Sequence, residues 1–558
     1  MTKRIRIIAV LTIVCLLLGL VACKPQESGP TDPNKPTPTA TKAATPTPTK
    51  VPETTKPEEN FNPTGYPIVK EPITITHALF KADYYGEGPD MQLWQKLEEL
   101  TNIKFEWHYY ADDMQGRELY FADTSGYKDL TNGWLVAPHI NKYAVEADLF
   151  MDLAPLIDEY MPNLKKHAET YPEAMKVVRQ LNGKMYTLPT LYKAATSAQG
   201  QLFFRTDYLE QVGLEMPKTV DEMYTALLKI RDAGLTKGKS PLLTTYQVHI
   251  GLQLEPYFFN AFGEATDPRW GADKDGKVVC NAISEQYKRY LTFMNKLYEE
   301  KLLDNEIFTM ETATASGRIK DGEAAFMTGA AMLNEEDFPD GKIHLDCMAP
   351  LVSEYTDKQK IQGCSVCSTW GPLIRKDCEY GRELARFLDI FYSHEEIVPG
   401  SGVGGPLICH GVENVHWRYT SPQKDGYEII VPDTWKDSVW DYKLKHVNFD
   451  SFFGSILFLG YSSSPNNQAR ERGMVKNNMP YAVDPFPRDF LKFTPEDNEL
   501  LSGPLGNIDK LIDTARAEFI SGGRDIEKDW DIYVADVKTL GLEQVLKLYQ
   551  AAYDAWNK

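Results

Sequence analysis

The chain has 558 residues, 42% of them hydrophobic and 25% charged, the mix of a globular protein and too long a chain for one hydrophobic core. Its formal net charge is -19, from 79 acidic and 60 basic residues. A surface of that sign repels phosphate backbones and anionic headgroups, which argues against nucleic acid as a partner and against direct binding to a membrane surface.

Lys3, Arg4 and Arg6 precede an apolar run that starts near Ile7, closes at Leu20-Val21-Ala22-Cys23 and gives way at once to Pro and Thr. A basic start, a short apolar centre and small residues before a cut site predict a secretory signal peptide over residues 1–22. The run is shorter than the ~20 residues a spanning helix needs, so an exported, soluble domain is expected. Leu-Val-Ala-Cys resembles the lipobox of bacterial lipoproteins, which implies cleavage before Cys23, a diacylglycerol on its thiol and a further acyl chain, such as palmitate, on its amino group. Each buried methylene contributes roughly 0.8 kcal/mol, and two or three chains hold where one is marginal.

Residues 23–65 are low in complexity, with Pro36-Thr37-Pro38-Thr39 and Thr45-Pro46-Thr47-Pro48-Thr49. Such a stretch has no core to bury and predicts an extended spacer of up to ~3.1 Å per residue. From Tyr66 onward short apolar strands alternate with amphipathic helices, the pattern of an α/β chain. Residues 73–79 alternate as a strand; residues 90–100 place Met91, Leu93, Trp94, Leu97 and Leu100 on helical spacing; residues 102–109 read as the next strand. Gly238-Lys239-Ser240 resembles a phosphate loop, but only three residues separate Gly234 from Gly238, so it reads as a turn between a helix ending near Ala233 and a strand beginning near Pro241.

Asp273-Lys274-Asp275-Gly276 resembles part of a calcium loop, yet Gly271 stands where the first acidic ligand belongs, and a hairpin turn at Asp-Gly is expected instead. Residues 284–300 carry Tyr287, Tyr290, Leu291, Met294, Leu297 and Tyr298 along one helical face, a core stripe. Residues 361–369 read as a buried strand. Residues 529–540 and 542–556 read as two helices broken at Gly541 that clamp two lobes. No repeat of 20 to 50 residues supports a solenoid or propeller.

Cys15 leaves with the leader and Cys23 takes lipid, which leaves Cys280, Cys347, Cys364, Cys367, Cys378 and Cys409 to pair or to stay reduced. Cys364-Ser365-Val366-Cys367 has no second half-site, so no metal centre is expected. Neither His-Glu-x-x-His nor Gly-x-Ser-x-Gly occurs, and no catalytic residue or cofactor is assigned. Paired carboxylates for glycoside hydrolysis are compatible with so many Asp and Glu, and that enzyme class stays open on residues alone.

Stretches from Tyr66 to the end resemble the extracellular solute-binding lipoproteins of ABC importers, in the carbohydrate-binding branch common in Gram-positive bacteria. They are Tyr66-Pro67-Ile68-Val69; Leu149-Phe150-Met151-Asp152-Leu153, running on to Pro162-Asn163-Leu164; Asn182-Gly183-Lys184-Met185-Tyr186-Thr187-Leu188-Pro189; Arg205-Thr206-Asp207-Tyr208-Leu209; and Gly322-Glu323-Ala324-Ala325-Phe326. The chain departs from the family pattern at Gly126-Tyr127-Lys128-Asp129 and at Thr187. The resemblance implies a two-lobed, periplasmic-binding-protein-like (type II) α/β fold with interlobe crossing strands and C-terminal helices. The first lobe would hold about 66–190 plus a return segment from about 367, and the second about 194–362 plus part of the C-terminal region. It also implies a monomer on the outer face of the cell membrane that closes on a ligand and delivers it to permease subunits.

Aromatic residues argue for sugar as that ligand. The apolar face of a pyranose buries against Trp or Tyr, while its hydroxyls need polar partners in a concave site. Aromatic candidates in predicted loops at strand ends are Tyr84, Tyr85, Trp134, Tyr192, Trp270, Trp370 and Trp417, with Asp129, Asn141 and Glu413 as hydrogen-bonding partners. The reading is therefore a lipid-anchored oligosaccharide receptor without chemistry of its own. An exported carbohydrate-active enzyme, and a peptide receptor or sensor of the same fold, are its rivals.

Overall fold

The computed structural model describes residues 57–558 except 82–84, 113, 124–125, 133–139, 193–201, 245, 248–250, 253–254, 329–332, 334–337, 343, 364–366, 369–371, 423, 425, 436–438, 450–455, 458–472 and 474. The leader, Cys23 and most of the expected linker lie outside the described residues.

The alternation read over residues 73–79 becomes strand β1 (Ile73–Lys81), paired in parallel with β2 (Ile103–Ala111) from Ile73↔Ile103 to Lys81↔Ala111. Between them the helix Gln92–Thr101 buries Leu93, Trp94 and Leu97 against the sheet and stops at Asn102, whose φ of 59° places it in the left-handed region that Asn tolerates. Strand β3 (Leu130–Asn132) lies parallel on the other side of β1, and Leu373–Ile374 closes the sheet antiparallel to β3. The Trp94 ring meets Phe105 edge-on at 5.4 Å and stacks on Phe387 at 5.9 Å, so the helix Gly381–Asp389 completes a core begun 300 residues earlier in the chain.

A second four-stranded sheet has the order Leu345–Cys347, Leu202–Arg205, Phe326–Thr328, Leu242–Leu243. Thr219 caps the helix Val220–Asp232 in a reciprocal box with Glu222, and Ser284 caps Glu285–Glu299, which buries Tyr287, Tyr290, Leu291, Met294 and Leu297 as the stripe predicts. Each core is separate. One takes side chains from Phe61 to Leu191 and again from Ile374 to Phe449; the other runs from Leu202 to Ile361 and from Leu491 to Ala552. Full burial of one Leu or Phe contributes ~1.5–3 kcal/mol, so each core is sufficient to define a lobe.

Short strands pass between them. Thr190–Tyr192 pairs antiparallel with Cys367–Ser368 and parallel with Ile456–Leu457, while Ile361–Gln362 pairs with Ala482–Val483. At the far end of the chain the half-buried Trp556 packs against both cores, stacking on Phe490 at 6.1 Å with the Lys176 ammonium 4.4 Å from its ring centre.

Several boundaries differ from expectation. The linker does not run to Gly65: Pro57–Asn60 is helical, Phe61 bridges Val69, and the Phe61 ring packs edge-on against Tyr160 at 5.5 Å. The hairpin Trp270–Ala272/Val278–Cys280 has a five-residue loop rather than a two-residue turn, because the Asp273 carboxylate accepts the amides of both Asp275 and Lys277. The strand expected over 361–369 is described as two short ones. A long helix, Pro495–Ser521, precedes the two C-terminal helices Ile526–Thr539 and Leu542–Trp556. Cys280, Cys347, Cys378 and Cys409 are buried, and the Cys347 thiol donates to the Asn478 side-chain oxygen at 2.9 Å, whereas the side chains of Cys364 and Cys367 lie outside the described residues.

Candidate ligand site

Because β1, β2 and β3 are parallel, their carboxyl ends share one edge of the first sheet. In open α/β sheets the ligand crevice forms outside such an edge, where strands stop and loops begin. Lys81 ends β1 there. Its ammonium donates to the Tyr85 carbonyl at 3.2 Å and lies 4.8 Å from the centre of the Tyr109 ring. Tyr109 in turn accepts the Gly88 amide at 2.8 Å, and burial pushes its hydroxyl pKa up to about 12. Trp107, two residues earlier on the same face, stacks on Tyr109 at 6.1 Å and touches Phe449 at 5.3 Å.

The loop leaving β1 is held from its other side. The Gly86 amide donates to the Leu444 carbonyl at 3.1 Å, and a Cβ on Gly86 would stand 2.0 Å from the Lys445 oxygen, so that close approach requires glycine. Leu444 and Lys445 belong to the helix Val439–His446, which presents Tyr442 and His446 one turn apart. These two rings and Trp435 stand 5.2–5.4 Å from one another, and the Lys445 ammonium is 5.4 Å from the Trp435 ring centre. Aromatic faces beside strong donors are what an oligosaccharide surface requires.

The expected site residues are dispersed. Tyr84, Trp134 and Trp370 lie outside the described residues, as does the side chain of Tyr192, whose backbone forms the crossing strand. Tyr85 is half-buried in the loop at the β1 edge. Asn141 is half-buried in the helical turn Ile140–Glu146 that follows β3, and its side-chain amide makes no hydrogen bond among the described residues. Asp129 sits at the opposite, amino end of β3. Its carboxylate accepts the Thr76 amide at 3.0 Å and hydroxyl at 2.7 Å, and pairs with Arg375 at 3.0 Å, a clasp across the sheet.

Trp270 and Trp417 are packing residues in the structure. Trp270 has no exposed surface and stacks on Tyr549 of the last helix at 5.3 Å. Trp417 is 1% exposed, donates its indole N–H to the Gly411 carbonyl at 3.0 Å and meets Tyr419 edge-on. Glu413 is half-buried beside it, bridged to Trp417 through the backbone.

Lys81, Trp107, Tyr109, Trp435 and Lys445 were not singled out from sequence. The alternation Ile103, Phe105, Trp107, Tyr109 carries one signal, since a strand face that stays aromatic to its last turn continues past the core. Among the described residues no three His, Cys, Asp or Glu side chains are grouped to hold a metal ion, and no helix is long and apolar enough to cross a membrane. A groove of about 630 Å³ on the second lobe, lined by Phe262, Lys288, Arg289 and Tyr355, contains none of the expected ligand residues.

Two sheets with separate cores, linked by crossing strands, and a rim of aromatic and cationic side chains at a carboxyl edge define the two-lobed type II solute-binding architecture. The chain belongs to the family of bacterial extracellular solute-binding proteins, which matches it over residues 84–380. The fructooligosaccharide ABC transporter substrate-binding protein FusA of Streptococcus pneumoniae is 24% identical over 514 residues, 83% of this chain and 86% of that protein. The solved structure of an EF-hand mutant of FusA in complex with fructo-nystose has a TM-score of 0.69 at 17% identity, covering 87% of this chain and 99% of that one. An extracellular solute-binding protein from Bifidobacterium longum subsp. infantis gives 0.70 at 18% identity, covering 88% and 99%.

Proposed function

We propose that the protein is the oligosaccharide receptor of an ABC importer, tethered by lipid on Cys23 to the outer face of a Gram-positive cell membrane and acting as a monomer. The observation that carries this reading is the similarity to FusA across both lobes rather than over one motif. The geometry adds the means. Lobes joined by short crossing strands can close by a hinge motion, and a ligand that bridges both halves stabilises the closed form by its differential affinity. The permease then meets one closed face, and the sugar is released unchanged, with no enzyme step.

In this reading the first lobe comprises about 66–190 and the return from about 367, with the helix Pro57–Asn60 added at its start. Tyr85 and Asn141, at the carboxyl edge, are assigned to ligand together with Tyr84, Trp134, Tyr192, Trp370 and Glu413, while Asp129, Trp270 and Trp417 are assigned to the scaffold. A thermal-shift screen of oligosaccharides tests it. A ligand present at a hundredfold excess over its Kd stabilises the native state by about 2.7 kcal/mol, and small-angle scattering should then report a smaller radius. A screen in which no saccharide moves the melting point or the radius would reject the receptor.

A further inference from the structure

We propose that Trp435, Tyr442 and His446 form an outer sugar subsite on the first-lobe rim, so that the receptor binds long oligosaccharides more tightly than short ones. This rests on the sugar-receptor reading and adds ligand length to it.

The helix Val439–His446 carries apolar or aromatic side chains on two faces where its fold needs one. Leu444 is 1% exposed and buried with Lys443 and, just past the helix, Val447. Val439, Tyr442 and His446 recur at steps of three and four and so share a different face. Val439 and His446 are exposed on it and Tyr442 is half-buried. Trp435, also half-buried, comes from the turn before the helix, where its amide donates to the Pro432 carbonyl at 2.9 Å, and its ring meets Tyr442 at 5.4 Å and His446 at 5.3 Å. None of these three rings belongs to a hydrophobic core built by the described residues, so neither lobe depends on them for its interior. A face that served solubility alone would be polar, because apolar area left in water forgoes about 25 cal/mol per Å².

The cluster continues the rim and is mounted rigidly on it. A Cβ on Gly86 would stand 2.0 Å from the Lys445 carbonyl oxygen, and one on Gly88 would stand 2.2 Å from the Trp107 ring. Those two close approaches lock residues 86–88 to the helix on one side and to β2 on the other, so the surface is formed before ligand arrives and little ordering opposes binding. Trp107 and Tyr109 pack against the first core, whereas the trio stands outside it: these are two separate aromatic surfaces joined by one short piece of backbone. One sugar ring covers one aromatic face, and the next surface is reached only by a later unit of the same chain. The His446 imidazole can donate to or accept from the hydroxyls of that unit.

The test titrates the full chain in detergent calorimetrically with ladders of fructo-, manno-, xylo- and galacto-oligosaccharides, from disaccharide to hexasaccharide. Trp435→Ala and Tyr442→Ala are the variants, and Trp435→Phe is the ring-retaining control. The expected result is affinity that rises along the ladder that binds, a loss of about tenfold for its long members in either Ala variant, as truncation of an aromatic anchor produces, and recovery in the Phe variant. The shortest member that binds should keep its affinity in all three, a split that a merely structural role would not give. Equal losses for short and long members, or long members that bind both Ala variants as they bind the parent, would overturn the outer subsite and leave the receptor standing; the second result would hand the face to the permease. Silence of every ladder would remove both.

Discussion

Arg516 and Glu255 face one another at 3.2 Å in the interior of the second lobe, the guanidinium fully buried and the carboxylate 2% exposed. Arg516 also pairs with Asp513, which pairs with Arg269; Arg269 meets Asp509, and Asp509 meets Arg488. The chain of charges joins the helix Pro495–Ser521 to the hairpin at Trp270 and to the segment that leads from the crossing strand Ala482–Val483. Burial raises the Glu255 pKa and the two arginines oppose that rise, so the pair depends on mutual compensation.

Removing one partner strands the other. Arg516→Met should lower unfolding free energy by about 3–5 kcal/mol, whereas Arg516→Met with Glu255→Gln should recover a part of it. Urea denaturation of both variants measures the difference. Equal losses in the single and double variants would show that the charge on Glu255 is not the cause.

Acid should loosen the first lobe. Burial lowers the pKa of His77 to about 3 and of His167 and His416 to about 4, below the unfolded value of 6.5. Each binds more protons unfolded than folded in that window, so its contribution is present above 6.5 and lost as pH falls toward 4. Asp389 has the opposite sign: its pKa rises from 3.8 to about 6 through burial, so its contribution is full below 3.8 and lost as pH rises through 6. Burial also lowers His394 and His410 and raises Glu383, so the histidines still outweigh the carboxyls, and the melting temperature should drop between pH 6.5 and 4. A flat profile would show that these imidazoles are not held neutral by the fold.

Scaffold and ligand roles separate by mutation. Trp270→Ala empties a packed site against Tyr549 and should cost about 3–5 kcal/mol with sugar affinity unchanged in the folded fraction. Tyr85→Ala should leave the melting point nearly unchanged and weaken sugar binding about tenfold. Paired calorimetry and denaturation distinguish the two, and a Trp270→Ala protein of normal stability would contradict the packing assignment.

Gly411 offers a local test. Its φ is +97°, and an added Cβ would lie 2.4 Å from a Val447 methyl and 2.5 Å from the His416 ring. Gly411→Ala should destabilise by about 1–3 kcal/mol through strain and displacement, read as a lowered urea midpoint. No change would mean that the loop relaxes freely.

Elements with a strong period were readable. β1, the helix Gln92–Thr101, β2 and the Tyr287-to-Leu297 stripe all announce their buried face locally. The helix Pro495–Ser521 was hidden because Gly503, Pro504 and Gly506 interrupt it, although Ile508, Ile512, Ala515 and Phe519 keep the helical spacing beyond them. Ligand residues were harder for a different reason. Trp270 stands before a turn, as a sugar-stacking residue would, and nothing nearby reveals that Tyr549 covers it. Tyr85 and Trp435 join one rim only through contacts between distant segments, which no local pattern encodes.

The first sheet takes its last strand, Leu373–Ile374, and half of the aromatic box around Trp94 from residues beyond 370. A nascent chain that has reached only the second lobe therefore lacks an edge of its first sheet and the Phe387 and Phe391 walls of its first core. Such long-range closure makes folding slow, and a polypeptide that stays loose until most of it has been synthesised is one that a secretion channel can still thread.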